Sequence, residues 1–331
     1  MRPSHMNLPP EEFVRVPHEK LAALVSAIGQ AAGLPAARAA LLADLLVGND
    51  LKGVFSHGSR QIAAYARQMR DGELNTDPQV RIVSETAQTA LMDGDGGLGY
   101  FPAYEGTLLA IEKAKATGMA AVLTRNHGHF GAAGIYARMT LGHGLLAFVT
   151  SGHQLHLRPG RPITDAGGGS PMAWTAPAGE EDGLVLDFGT MHDFYDEDPY
   201  RDELVRMAPG VALRHIGMGA VCQAWGGLLA GIPVDSGQAD RRYPGANQGS
   251  LLICFRVSLF MPVEGFQQQM DAYSRGVRQL EPLPSFRESY LPGGIEVVRE
   301  REYRAQGVPV GPKHREALAA AAKEFGVAVP W

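Results

Sequence analysis

At 331 residues the chain is long enough for more than one hydrophobic core, since single domains stop growing at about 250–300 residues. Hydrophobic residues make up 45% and charged residues 20%, which excludes an intrinsically disordered chain. A formal net charge of −5, with no run of Lys/Arg, excludes nucleic acid as a partner, because phosphate binding needs a concentrated basic face.

The opening residues 1–10 lack the basic-then-apolar pattern of a secretory signal, and Ser4-His5-Met6 resembles a cloning scar, which makes Met6 the expected natural start. Apolar positions then fall at helical spacing over 18–32 (Leu21, Leu24, Val25, Ile28) and 36–48 (Leu41, Leu42, Leu45, Leu46). Gly33 and Pro35 separate the two runs, which predicts a helical hairpin. A third helix is expected over 59–70. Strand and helix signals then alternate: strands at 80–83 and 89–92, a glycine loop at 94–99, a helix over 103–116, a strand at 119–123, a helix over 132–142 and a strand at 145–150. That order predicts an α/β core with some parallel pairing. The Pro- and Gly-rich stretch 158–182 predicts long loops. A strand at 184–188, a small-residue helix over 218–230, a strand at 251–257 and helices over 264–279 and 313–325 complete the reading. Between the last two helices, Pro282, Pro284, Pro292, Pro309 and Pro312 predict an extended wrap across the surface. No stretch approaches the ~20 apolar residues that span a bilayer. Cys222 and Cys254 sit inside apolar runs, as reduced core thiols do. A cytoplasmic protein with no membrane partner is expected.

Gly94-Asp95-Gly96-Gly97-Leu98-Gly99 fits G-x-G-x-x-G between a strand and a helix. It is either a phosphate cradle at a helix N-terminus or a tight turn that needs glycine dihedrals. The following strand ends in Thr124-Arg125-Asn126 with no acid for a ribose, and Asp93 and Asp95 put negative charge where a pyrophosphate would sit. The context favours the turn. Ser56-His57-Gly58 precedes a helix carrying Arg60, Gln61 and Tyr65. Gln61 and Tyr65 share a helical face, and Arg60 is rotated from Gln61 by about 100°. His57 is a proton donor or substrate contact, or an exposed neighbour of a capping serine, and the residues alone favour the second.

Asn126 to Gly134 (Asn-His-Gly-His-Phe-Gly-Ala-Ala-Gly) follows a buried strand and opens a helix, where α/β proteins place ligand-facing loops. His127 and His129 suit proton transfer or metal binding. His153 and His156 are the further ligands on offer, but the spacing matches no zinc pattern, so no metal is expected. The glycines around His129 favour the functional reading. Asp187 ends its strand beside Gly189, facing a ligand or capping the next element. Asp193, Asp196, Glu197, Asp198, Asp202 and Glu203 form an acidic segment. It is a solvated loop, or it repels a phosphate if it faces the pocket.

Together these segments resemble the malate/L-lactate dehydrogenase family, which includes ureidoglycolate and sulfolactate dehydrogenases and cyclic-imine reductases. The resemblance rests on Gly53-Val54-Phe55-Ser56-His57-Gly58 with Tyr65, Gly72-Glu73-Leu74-Asn75, Asp93 with the glycine turn, and Asn126 to Gly134. It continues through Pro171, Ala176-Pro177-Ala178-Gly179, Leu184-Val185-Leu186-Asp187, Leu291-Pro292-Gly293-Gly294 and Gly307-Val308-Pro309. It implies an α/β fold that is not a Rossmann fold, with a helical domain (1–78 with 280–331) packed on a central mixed-sheet domain (79–279). It also implies NAD or NADP as cofactor, a small-molecule substrate, and a homodimer with the site near the subunit interface. By the same resemblance His129 is the acid/base and His57 its catalytic neighbour. Ser56, Arg60, Gln61, Tyr65 and Asn126 contact substrate, and Ser151, His153, Pro171, Asp187, Phe188, Gly189 and His215 contact the cofactor.

The departures are specific. Gln61 stands where the family usually has arginine, weakening a charged carboxylate contact typically worth ~1.5–3 kcal/mol. His215-Ile216-Gly217 lacks the lysine of a His-Lys-Gly segment, Ser170 replaces an asparagine, and segment 193–203 is shortened and acidic. The expectation is an NAD(P)-linked oxidoreductase of a small 2-oxo or 2-hydroxy acid or a related imine. The lost lysine and the acidic segment motivate a rival, a cofactor-independent isomerase, lyase or hydrolase on the same fold. A non-catalytic scaffold would have no need of His129 and its glycines.

Overall fold

Val14–Val16 (β1) leads into the hairpin, α1 (His18–Ala31) and α2 (Ala36–Leu51), in a computed structural model that describes residues 9–194, 200–284, 286–329 and 331. The scar at 4–6, the side chain of Asp193, and Asp196, Glu197 and Asp198 lie outside the described residues. Leu21, Leu24, Val25 and Ile28 of α1 pack with Leu42, Leu46 and Val47 of α2, all buried. Gly33 reverses the chain at φ +105°, a conformation that favours glycine. Two single 3₁₀ turns, Phe55–His57 and Ser59–Gln61, precede α3 (Ile62–Arg70).

β2 (Arg81–Glu85), β3 (Thr89–Asp93), α4 (Tyr100–Thr117), β4 (Met119–His127), α5 (Ala133–Met139) and β5 (Leu145–His153) follow in the alternating order read from the sequence. The stretch 158–182 is not loop throughout, because it contains β6 (Pro171–Ala176), which pairs antiparallel with β5 and with β7 (Leu184–Gly189). Proline is tolerated there as the first residue of a strand. α6 (Arg201–Met207) and α7 (Pro209–Cys222) come next, and a π-helical turn, Gln223–Leu228, extends α7. β8 (Gln248–Arg256), α8 (Val263–Val277), α9 (Gly294–Gln306), β9 (Val308–Val310) and α10 (Pro312–Glu324) end the chain. The expected proline-rich wrap is therefore largely ordered. Pro292 precedes α9, Pro309 lies in a two-stranded ribbon and Pro312 starts α10, all positions that tolerate proline.

The seven-stranded sheet runs β2-β3-β4-β8-β5-β6-β7. Only β3 and β4 pair parallel within it, and α4 supplies the crossover such a pair requires. β1 and β9 form a separate ribbon (Val14↔Val310) that ties the two ends of the described chain together. One core joins α1, α2 and α3 to Tyr303 and Leu318 of the C-terminal helices and reaches Tyr100 and Phe101 at the start of α4. A second lies between the sheet and α4/α5, around Ala110, Val122, Tyr136, Val149 and Leu252. Cys222 and Cys254 are buried free thiols, their pKa values pushed up by burial to about 11 and about 12. Among the described residues no helix is long and apolar enough to cross a membrane.

The topology fixes where a ligand can go. β4 and β5 flank β8 in the same direction, and both His127 and His153 pair with Gln248 at its start. β7 ends at the same edge, with Gly189 opposite Pro171. The C-terminal ends of β4, β5 and β7 thus open together on one side, the usual ligand side of an open sheet.

Candidate active site

The strand ends open into a cavity of about 760 Å³, within the ~300–1,000 Å³ range of small-molecule sites. Val54, Ser56 and His57 from the loop after α2 form part of its wall, and Ile295, Glu296 and Arg299 of α9 another part.

His129 stands on a loop that four backbone hydrogen bonds tie to the glycine turn. Gly94 N–H donates to Arg125 O (2.9 Å), Gly96 to Asn126 O (2.9 Å), Gly128 to Gly97 O (2.8 Å) and Gly99 to His129 O (3.0 Å). A Cβ on Gly99 would lie 2.5 Å from His127 Nδ1 and 2.6 Å from Gly128 O, so only glycine allows this approach. No residue of the turn lines the cavity. Its work is to place the histidine loop, as the tight-turn reading holds.

The two histidines of the loop have separate roles. His127 is the last residue of β4 and fully buried; its Nδ1–H donates to Gly128 O (2.8 Å) and its Nε2 meets Thr124 Oγ1 at 2.8 Å. His129 lines the cavity, with Nδ1 2.6 Å from Tyr65 Oη, which lies 3.2 Å from Tyr100 Oη. No described group bonds His129 Nε2. Burial, followed by the neighbouring His57, His153 and His127, pushes the His129 pKa down to about 3. Burial also raises both tyrosine pKa values above the usual phenol range, so the phenols stay protonated. The His57 ring sits 5.5 Å from that of His129, tilted by 34°, and Ser56 Oγ lies 2.9 Å from His57 Nδ1. Burial, then His192, lowers the His57 pKa. Two uncharged imidazoles therefore face the cavity at neutral pH.

Ser151, His153, Pro171, Asp187, Phe188, Gly189 and His215 line the same cavity. Gln223 holds His153 on both sides: its Oε1 accepts the His153 backbone N–H (3.0 Å), and its Nε2 donates to His153 Nδ1 (3.3 Å) and Ser170 Oγ (2.6 Å). This contact depends on the π-helical turn, whose Gly226 lies where a Cβ would come 2.5 Å from the Ser151 carbonyl carbon. Burial pushes Asp187 up to about 6 against the pull of Arg138, 4.0 Å away, and of the Gly134 N–H. A Cβ on Gly134 would lie 2.3 Å from Asp187 Oδ2, which explains the last glycine of the histidine segment. His215 Nδ1–H donates to Thr190 O (2.6 Å) and its ring meets the Phe188 ring at 6.3 Å. Ile216 packs with Met191, Phe194 and Ala212, filling a small core where a lysine was expected. Of the acidic segment, Asp202 and Glu203 lie in the first turn of α6 and line no part of the cavity.

Three expected substrate contacts lie elsewhere. Gln61 turns back to donate to Ser56 O (2.5 Å). Arg60 lines a separate cavity of about 570 Å³ with Pro309, Lys313 and His314. Asn126, at φ +54°, donates to Asp93 Oδ1 (2.9 Å) and faces a third cavity of about 530 Å³. Tyr65 does not line the main cavity but stands behind His129. Sequence reasoning missed Gln223, Gln248, Ile295, Glu296 and Arg299. A π-helical turn and a helix flanked by prolines supply all of these except Gln248, and the sequence marks neither element.

The lining suits the nicotinamide half of a dinucleotide. Gly168, Gly169 and Gly189 present bare backbone to the cavity, and the nearest neighbour of a Cβ on Gly189 would be His192 Cβ at 3.8 Å. His153, His215, Ser151 and Phe188 line the cavity with them. Among the described residues no group of three or more His, Cys, Asp or Glu converges as a metal site would.

A largely antiparallel mixed sheet with a histidine pair and a glycine-faced cavity at its strand ends is an α/β architecture outside the Rossmann class, with groups suited to proton transfer. The chain belongs to the malate/L-lactate dehydrogenase family, whose profile matches residues 16–192 and 201–319. Membership makes it a dehydrogenase of that family, acting on CH–OH groups. It is 27% identical to a malate dehydrogenase of Pyrococcus horikoshii, over 96% of this chain and 97% of that one. It is 24% identical to an NAD(+) ureidoglycolate dehydrogenase of Escherichia coli, over 84% and 87% of the two chains. The solved structure of malate dehydrogenase from Pyrococcus horikoshii superposes with a TM-score of 0.84 at 24% identity, covering 97% of this chain and 98% of that one.

Proposed function

We propose that the protein interconverts a small 2-hydroxy acid and its 2-oxo acid, or the related amine and imine, using NAD or NADP, with His129 as the acid/base. The observation that carries this reading is the chain from His129 Nδ1 through Tyr65 to Tyr100. A phenol donates and accepts, so the chain supports either tautomer of His129. With Nδ1–H donating to Tyr65, Nε2 holds a lone pair and takes the hydroxyl proton of a substrate. With Tyr65 donating to Nδ1, Nε2 holds the proton and polarises a carbonyl or imine. The imidazolium that forms during oxidation is opposed by burial, and a substrate carboxylate in the cavity supplies its counter-charge.

Ser151, His153, Pro171, Asp187, Phe188, Gly189 and His215 are the residues proposed to hold the nicotinamide half, with His57 and Ser56 at the substrate end. When bound, that group supplies or accepts the hydride at the substrate carbon. Against the cofactor-independent rival stand the dehydrogenase family match and the position of Asp202 and Glu203 off the cavity. The division into a helical unit (1–78 with 280–331) and a sheet unit (79–279) is proposed on the two cores. A homodimer is proposed on the apolar face left open by α7 and its π-helical turn, where Leu213 is 64% and Leu229 63% exposed. Sedimentation at a single-chain mass would exclude the dimer.

Calorimetric titration with NADH and NADPH in low salt tests the main reading. Micromolar binding of either is expected, and no heat at millimolar cofactor would overturn the proposal.

A further inference from the structure

Arg299 differs from every other charged residue near it on α9. Glu300 pairs with Lys52 (2.9 Å) and Arg304 (2.6 Å), Arg301 with Asp182 (3.0 Å), and Glu302 with Arg15 (2.6 Å). Glu296 lies toward Asp187, whose pKa it helps to raise. Arg299 lines the main cavity, and no ion pair or hydrogen bond to a described residue engages its guanidinium. It is the sole Arg or Lys among the described residues lining that cavity.

Its position within the cavity is set by Gly53. A Cβ on Gly53, which has φ +75°, would stand 2.8 Å from Arg299 Cδ and 2.9 Å from Arg299 Nη1. The Arg299 side chain therefore crosses the glycine that begins the loop bearing Ser56 and His57. Ser56 and His57 of that loop line the cavity with Arg299. An unpaired guanidinium in a cavity that His57 and His129 also line is an anion site, and its fork geometry matches a carboxylate. Gln61 and Arg60, the side chains the sequence offers for such a contact, are respectively bonded to Ser56 O and directed into another cavity.

We infer that Arg299 binds the carboxylate of the substrate, so that the acid group is recognised from the C-terminal helix α9 and not from the helix after His57. The substrate is then a 2-oxo or 2-hydroxy carboxylate held between Arg299 and His129. For the redox step this inference rests on the dehydrogenase reading; for carboxylate recognition it stands alone. The same carboxylate is the counter-charge that the His129 imidazolium lacks among the described residues.

Oxalate, a carboxylate probe that cannot be reduced at a 2-oxo carbon, separates the two ideas. Its affinity is measured by calorimetry, with and without saturating NADH, for wild type, Arg299→Gln, Arg299→Lys and Arg60→Gln. A charge-assisted hydrogen bond worth ~1.5–3 kcal/mol corresponds to about a 10–150-fold loss of affinity in Arg299→Gln. Arg299→Lys is expected between that value and wild type, because it keeps the charge and loses the fork. Arg60→Gln is expected to bind as wild type does. Wild-type oxalate affinity in Arg299→Gln, or no oxalate binding to wild type under either condition, would overturn the inference. NADH titration of the same samples reports on the dehydrogenase reading separately. Oxalate binding that depends on Arg299, without any dinucleotide binding, would remove that reading and leave this inference standing.

Discussion

Replacing His129 by asparagine is expected to lower kcat by about 10²–10⁴-fold, the usual contribution of a positioned acid/base, with NADH affinity close to wild type. Asparagine is polar and fits the space but cannot exchange a proton, so the change isolates proton transfer from packing. Tyr65→Phe removes the hydrogen bond on His129 Nδ1 and, with it, the contact to Tyr100 Oη; a neutral hydrogen bond of ~0.5–1.5 kcal/mol on the acid/base implies a loss of about 2–13-fold in kcat. The pH profile provides a second readout. Because burial lowers the His129 pKa from 6.5 to about 3, the base form persists well below neutral pH. The kcat/KM for oxidation, which reports on free enzyme and free substrate, should therefore show no histidine limb near 6.5. A limb near 6.5 that vanishes in His129→Asn would place the acid/base in a wetter setting and remove the basis for the tautomer argument. Steady-state kinetics from pH 4 to 8 decides between them.

Much of this arrangement is legible in the residues. The hairpin of α1 and α2 follows from leucines at helical spacing, and the alternation from β2 to β5 follows from apolar runs broken by glycine. The acids around the glycine turn correctly favour a tight turn, and its hydrogen bonds to the histidine loop give that turn a purpose. Angular reasoning holds for Arg60, which points into another cavity, but not for Gln61, which turns back to Ser56 O. It assumes 100° per residue from position 59, whereas Ser59–Gln61 is a 3₁₀ turn with about 120° per residue. Prolines hide β6 and α9, because proline at the edge of an element is indistinguishable in sequence from proline that prevents one. Arg299 is the costliest omission. No local pattern distinguishes it from Arg301 or Arg304, and only the packing of α9 over Gly53 brings it to the cavity that His57 lines.

The glycine of Ser56-His57-Gly58 leads to the second large effect. Behind it, at the end of α2, the buried Asp50 accepts the Ser59 N–H through Oδ2 (2.8 Å), while Oδ1 has no partner. Asn49 Nδ2 donates to His57 O (3.0 Å), so two adjacent residues of α2 hold the backbone on either side of Gly58. A Cβ on Gly58 would lie 1.7 Å from Asp50 Oδ1. Gly58→Ala is therefore expected to expel the carboxylate, combining an overpacking cost of ~1–3 kcal/mol with a lost buried hydrogen bond of ~1–3 kcal/mol. It should lower the urea midpoint and, through His57, kcat as well. Asp50→Asn tests the cause. Burial raises the Asp50 pKa from 3.8 to about 7, against the Ser59 hydrogen bonds and Arg60. A raised carboxyl binds its proton more tightly in the folded chain, so its contribution to stability is greatest below pH 4 and is lost as pH rises toward 7. His127, His129 and His314, lowered to about 4, 3 and 4, act in the opposite sense and give up stability as pH falls below 6.5. They are common to both proteins and cancel in the comparison. The stability difference between Asp50→Asn and wild type should thus move in the variant's favour between pH 4 and 7, by on the order of 4 kcal/mol at most, and be flat above. A difference independent of pH would mean that Asp50 ionises normally. The loop bearing His57 would then be held by Asn49 and the Ser59–His314 hydrogen bond, with the steric demand at Gly58 unchanged.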